Sequence, residues 1–214
     1  MSSVIDHHVK QDSPPHDPQP RMKAGDRREL ILVAATGVFG DYGYFGTTTD
    51  QVAKAAGVSQ PYVSRMFGTK EQLFLEVLDR SLGILLATFR AEIATGGGPE
   101  LSGRLGRAYV DLLKDRGLLL CLMQAFSMGS DPVIGKAGRS GFMQVYELLR
   151  TEAGFTAEQV QEFLAGGMLI NTMVGLRMSD EYETNDLARE CLVTALPEKL
   201  ELVLDLGRQQ RSAR

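Results

Sequence analysis

From Arg27 onward the apolar residues recur every three or four positions, and no stretch alternates apolar and polar long enough for a strand. The pattern predicts an all-α protein. Leu30, Ile31, Ala34, Ala35, Val38 and Phe39 share one stripe, which places a first helix from about Arg27 to Asp41. Val52, Ala53 and Ala56 mark the buried side of a second, short helix. Thr48 and Gln51 form a capping box that starts it at Thr49, and Gly57 ends it, because the left-handed residue after a helix is easiest for glycine. Ser59 is placed to cap a third helix of roughly two turns, with Pro61 in its first turn, where no intrahelical N–H is needed.

Thr69 and Gln72 make another capping box, opening a longer helix from Lys70 to about Thr95. Leu73, Phe74, Val77, Leu78, Leu82, Leu85, Leu86 and Phe89 are its apolar positions. The run Gly96-Gly97-Gly98-Pro99 breaks the chain. Helical segments follow near 100–115, 117–127, 132–154 and 157–177, and from 185 to about 207 with Pro197 dividing the last. Thr156 and Gln159 cap the segment that opens at 157.

Three parts result. Residues 1–24 are rich in Pro and His, carry no apolar period and are expected to be a disordered tail. Residues 25–72 form a helix-turn-helix domain with its motif at 48–67, and 73–214 a larger helical domain. A short helix, a tight glycine turn and a second short helix are what is needed to push one helix into the major groove of DNA.

The run Phe39 … Gly43-Tyr44 … Thr47-Thr48 … Val52-Ala53 … Ala56-Gly57-Val58-Ser59 … Phe67 … Thr69-Lys70-Glu71 … Leu73 resembles the DNA-binding domain of the TetR family of bacterial transcriptional regulators, over about residues 26 to 80. Two positions depart from the commonest pattern: Ser64 stands where Tyr is usual, and Tyr62 where a small residue or Thr is usual. The resemblance implies a three-helix DNA-binding domain followed by a dimerisation and ligand-binding domain. It implies a homodimer that represses by occupying a palindromic operator and is released by a small apolar effector. It places Thr48, Thr49 and Lys70 near phosphates and builds a four-helix dimer seam from the helix at 157–177 and the one after it. The alternative is a helical protein-interaction module that does not bind DNA.

Within the third helix, Val63 and Phe67 are expected to face the core. Ser59, Gln60, Pro61, Tyr62, Ser64 and Arg65 are left for the groove and its flanks. Gln suits adenine and Arg suits guanine, while Ser and Tyr more often reach phosphate. The run from Phe163 to Leu176 is apolar nearly all round, with Gly166, Gly167 and Gly175 costly inside a helix. Phe163, Gly166, Gly167, Ile170 and Val174 are therefore the expected dimer contacts. Tyr109, Met123, Phe126, Phe142, Met143, Tyr146, Met168 and Asn171, with Met128 and Met173, are mostly soft and aromatic residues that could line an apolar pocket or equally be filled core.

Charge changes the picture once it is divided. The whole chain carries −4. Residues 21–70 hold seven basic and four acidic side chains, a balance of +3, against fifteen and twenty, a balance of −5, over 71–214. The positive end is the one that would meet phosphate. Arg21, Lys23, Arg27 and Arg28 could extend it as an arm along the backbone or into the minor groove.

Enzyme signatures are absent. There is no Gly-x-Ser-x-Gly elbow, Walker loop, His-Glu-x-x-His or Cys-x-x-Cys, and His7, His8 and His16 all lie in the tail with no metal-ligand spacing. No enzyme activity, cofactor or metal is expected. No apolar stretch is long enough to span a membrane and no signal-peptide core is visible, so the chain is expected in the cytoplasm, with Cys121 and Cys191 as reduced, buried packing residues.

Overall fold

The computed structural model describes residues 23–115 and 117–212. Ten α-helices and no strand occur among them: α1 (Ala24–Gly46), α2 (Thr49–Ala55), α3 (Gln60–Phe67), α4 (Lys70–Ala94), α5 (Leu101–Asp111), α6 (Leu118–Ser127), α7 (Ile134–Thr151), α8 (Ala157–Gly175), α9 (Asp186–Ala195) and α10 (Leu200–Ser212). Single 3-10 turns follow α5 at Leu112–Lys114 and α8 at Met178–Asp180. Most of the expected tail, with its histidines and Arg21, lies outside the described residues. Its last residue, Ala24, is helical and opens α1.

Local chemistry explains the boundaries. The regular part of α1 ends at Gly43, which takes φ 71° and ψ 170°. Buried Thr47 then fastens the turn, its hydroxyl donating to the Gly43 carbonyl at 2.8 Å. Capping boxes at Thr48, Thr69 and Thr156 are all formed, with both the side-chain and the returning glutamine bond present. Ser59 departs from expectation: it holds the extended backbone of an N-cap but its hydroxyl caps nothing. Pro61 and the Gly57 turn before it, at φ 65°, suffice to set the start of α3.

Three apolar cores stack along the molecule. The first joins Ile31, Phe39, Val52, Val63, Phe67 and Phe74, and continues through Val77 and Leu78 to Cys121 and Ala125 of α6 and Ile134 of α7. It therefore crosses the boundary expected at residue 72. The second is built by Leu85, Phe89, Leu105, Leu149 and Val160, from α4, α5, α7 and α8. The third holds the base of α8 against α9 and α10 through Met173, Leu192 and Val203. Helix α4, about 37 Å long at 1.5 Å per residue, contributes to the first two cores and links them.

The tightest joint lies between α1 and α6. A Cβ on Gly40 would stand 2.4 Å from the Gly117 Cα, and one on Gly117 would stand 2.3 Å from the Thr36 carbonyl oxygen. Only glycine at both places allows this approach, and Gly117 also takes φ 87°. Gln124 Nε2 adds a bond to the Phe39 carbonyl at 2.8 Å. Arg80 of α4, largely enclosed, bridges Glu29 of α1 at 2.7 Å and Asp115 before α6 at 3.2 Å. The cysteines differ from expectation in one case. Cys121 is buried and its thiol is pushed up to about 12, first by burial and then by Asp115. Cys191 is exposed, because it falls on the outer side of α9.

Candidate nucleic-acid interface and ligand cavity

Helices α2 and α3 and the start of α4 form one end of the molecule. Val63 and Phe67 are buried in the first core, as their spacing predicts. That turns Ser59, Pro61 and Arg65 outward as exposed residues and leaves Gln60, Tyr62 and Ser64 half-buried beside them. Gln60 is already held in place. Its Nε2 donates to Thr49 Oγ1 at 3.2 Å and to Ser64 Oγ at 2.9 Å, tying α2 to α3 and leaving its carbonyl oxygen outside that pair of bonds. Thr48 is exposed at the N-cap of α2, where unpaired backbone N–H groups favour an anion.

Three basic side chains turn out differently from the simplest sequence reading. Lys70 Nζ donates to the carbonyls of Tyr44 at 2.9 Å and Thr47 at 3.1 Å, and sits 4.6 Å over the Tyr44 ring. Its ammonium faces inward and ties α4 to the end of α1, so in this conformation the anion-facing groups at the head of α4 are backbone N–H groups. Arg28, one of the arm residues, lies 4.5 Å over Phe67, donates to the Met66 carbonyl and pairs with Glu76. It braces α1 against α3 and α4. Arg27 lies 5.6 Å over the Tyr62 ring, which holds Tyr62 at the side of α3. Arg28 and Lys70 are thus structural members of the domain. Nothing in the local sequence distinguishes them from the exposed Arg65, because their partners are 23 to 48 residues away.

The second feature is a cavity of about 330 Å³ inside the larger domain, walled by α4, α5, α6, α7 and α8. Of the expected pocket residues, Tyr109, Phe126, Phe142, Met168 and Asn171 line it, while Met123, Met143 and Tyr146 do not. Met143 points to solvent, and Tyr146 packs into the second core. Met123 lies on the side of α6 that meets Gly175 of α8. Met128 joins the first core and Met173 the third. The wall that sequence reading missed is α4, through Leu78, Leu82, Leu85 and Phe89. Their stripe was legible, but an apolar stripe facing a filled core and one facing a void look alike in sequence.

The cavity has a closed end and an open end. Phe89, Leu85 and Asn171 are buried, whereas Phe126 and Phe142 are partly exposed and meet edge to face at 5.8 Å. At the closed end the Tyr109 hydroxyl donates to Asn171 Oδ1 at 2.9 Å. Burial pushes the Tyr109 hydroxyl up to about 12, with the Asn171 bond opposing it, so it stays a hydroxyl at neutral pH.

The residues expected at the dimer seam divide by face. Phe163 packs inward, 5.7 Å from the Phe89 ring, and Gly167 faces Tyr109, so both line the cavity. Ile170 leans on the third core and Val174 is half-buried. Gly166 alone of the five is exposed. Leu169 (47% exposed) on α8 and Leu176 (69%) just after its end are open to solvent, with Leu187 (76%) and Val193 on α9 nearby in sequence. Helical phase decides which side of this apolar helix meets its own domain, and it turns Phe163 and Gly167 inward.

Residues 31–77 match the family model for bacterial regulatory proteins, tetR family. Over 75 residues the chain is 37% identical to the HTH-type transcriptional activator FasR of Mycolicibacterium smegmatis, covering 35% of this chain and 34% of that protein. Over 65 residues it is 38% identical to the HTH-type transcriptional regulator RutR of Escherichia coli, covering 30% and 31%. The matched stretch spans about a third of each of these relatives. The fold extends further. A TetR-like transcriptional regulator from Rhodococcus sp. RHA1 superposes with a TM-score of 0.55 over 91% of this chain and 100% of its own, at 20% identity.

Proposed function

We propose, from the premise that the chain belongs to the tetR family of bacterial regulatory proteins, that it is a homodimeric regulator of transcription. It reads a palindromic operator with α3 and lets go when a small apolar ligand fills the cavity. The observation that carries the reading is the pairing of two features on one long helix. The pre-ordered Thr49–Gln60–Ser64 surface stands at the head of α4, and the cavity opens along it from Leu75 to Phe89.

One α2–α3 unit covers few base pairs, so specific binding needs a second copy about 34 Å away. The exposed leucines of α8 and α9 supply an apolar face for that pairing, in line with what exposed apolar patches usually mark. Contact with DNA would use Thr48, Thr49, Gln60, Tyr62, Ser64 and Arg65, with Ser59 and Pro61 at the flank. Lys70 would serve through its backbone and by bracing.

Helix α6 lies between the two features. Leu122, Ala125 and Phe126 face the cavity, while Cys121 and Gln124 face α1. A ligand that prefers a wider cavity displaces α6, and the Gly40–Gly117 contact passes the displacement to α1. The two recognition helices then lose the spacing that fits DNA. This is a population shift: the ligand acts only through its differential affinity for the two states. Operator occupancy makes the protein a repressor in this reading, although one relative, FasR, is described as an activator.

Footprinting on the DNA upstream of the chain's own gene tests the reading. Protection over two half-sites, with affinity falling steeply as salt rises, is the expected result. Protection of a single isolated half-site by a monomer, or binding to proteins but not to DNA, would overturn it.

A further inference from the structure

The closed end of the cavity is built for a hydrogen bond that the chain does not make. Asn171 is 4% exposed and lines the cavity. Its Oδ1 is taken by the Tyr109 hydroxyl. Its Nδ2 makes no hydrogen bond to another described residue and is not among the sealed, unpartnered polar atoms, which are Ser81 Oγ, Arg104 Nε and Gln124 Oε1, so its N–H groups are open to the cavity. A buried amide donor is seldom left unpaired, because leaving it so costs more than one good hydrogen bond returns. Apart from Ser140 and Gln144, both on the exposed side of α7, the rest of the wall is apolar, and the one charged residue on it is Asp79, an acid, at the exposed part of α4. No Lys or Arg lines the space.

Resting on the reading that the cavity is an effector site, we propose that the ligand is an uncharged apolar molecule with one hydrogen-bond acceptor, a carbonyl or its equivalent, which takes its bond from Asn171 Nδ2 while an aliphatic or aromatic body lies along Leu85, Phe89 and Leu82. A volume of about 330 Å³ is at the small end of the usual range for such sites, roughly 300–1,000 Å³. It suits a body of about ten carbons, at about 30 Å³ for each small group in a liquid. An anionic head group is disfavoured at either end: nothing positive meets it inside, and Asp79 repels it at the rim.

The test uses four probes of one length on the full chain: decane, methyl octyl ketone, decanoate and decylammonium. Affinities are read by titration calorimetry without DNA. The ketone is expected to bind roughly tenfold tighter than decane, the worth of one satisfied neutral donor, and tighter than either charged probe. Tyr109→Phe with Asn171→Leu removes both polar partners together, a change that leaves no orphaned group. In that variant the ketone should lose its advantage while decane binds as before. Equal binding of ketone and decane to the natural chain would overturn the inference, as would tighter decanoate or decylammonium, a preference that survives the double substitution, or no binding by any probe. Operator affinity is measured separately with and without the ketone. A ketone that binds through Asn171 and leaves operator affinity unchanged would sink the effector reading and leave the ligand chemistry standing.

Discussion

The two ends of α4 are built on opposite principles. At its head several polar groups near the α2–α3 surface are engaged: Thr48 and Thr69 cap, Gln60 bridges, Lys70 holds the end of α1, and Arg28 closes the side. The core beneath is filled by Phe39, Phe74 and Tyr44 in mutual ring contact. From Leu75 to Phe89 the same helix faces a void, the Asn171 amide opens onto that void, and α7 approaches α4 at Gly141, beside Leu82. A surface that must fit DNA gains from a single rigid arrangement. A body that must answer a ligand gains from space and from an incomplete hydrogen-bond set.

The largest expected effect breaks the joint between the two. Gly117→Val puts a β-branched residue at φ 87° with its Cβ against the Thr36 carbonyl. Strain and overpacking together should cost on the order of 3 kcal/mol or more. The thermal midpoint should fall by many degrees, and operator binding should fail. A variant that melts like the natural chain would show that α1 and α6 are not locked there.

Next come two phenylalanines on α4, both buried, one at each end. Phe74→Ala lies in the filled core and should cost about 3–5 kcal/mol. Phe89→Ala, on the cavity wall, should sit at the low end of that range or below it, because fewer neighbours lose contact. Equal losses in denaturant unfolding would mean the cavity wall is as tightly packed as the DNA-binding core.

Gln60→Ala should weaken operator binding by about 1–3 kcal/mol with little change in unfolding midpoint. Anisotropy titration beside a melting curve separates the two. Unchanged operator affinity would mean that Gln60 serves only to join α2 and α3.

The smallest effects come from two equivalent capping boxes. Thr48→Ala and Thr156→Ala should each cost about 1 kcal/mol of stability, but only Thr48→Ala should also weaken DNA binding, since Thr156 heads α8 in the far domain. Equal effects on DNA binding would make the loss at Thr48 a matter of folding alone.

Among the described residues, what the sequence determined alone is what rests on neighbours a few positions apart: the all-α fold, the helix starts at Thr48, Thr69 and Thr156, the glycine turn at Gly57 and the burial of Val63 and Phe67. Caps and helical periods act within four residues, so they are written locally. The tertiary structure decided whatever depends on partners far along the chain. Lys70 turned inward because Tyr44 and Thr47 stand beside it, and Gly167 and Phe163 turned to the cavity because α5 and α4 pack on that side of α8. The void along α4 exists because five helices meet there without side chains large enough to fill the space, and the volume left between packed surfaces has no sequence signature of its own.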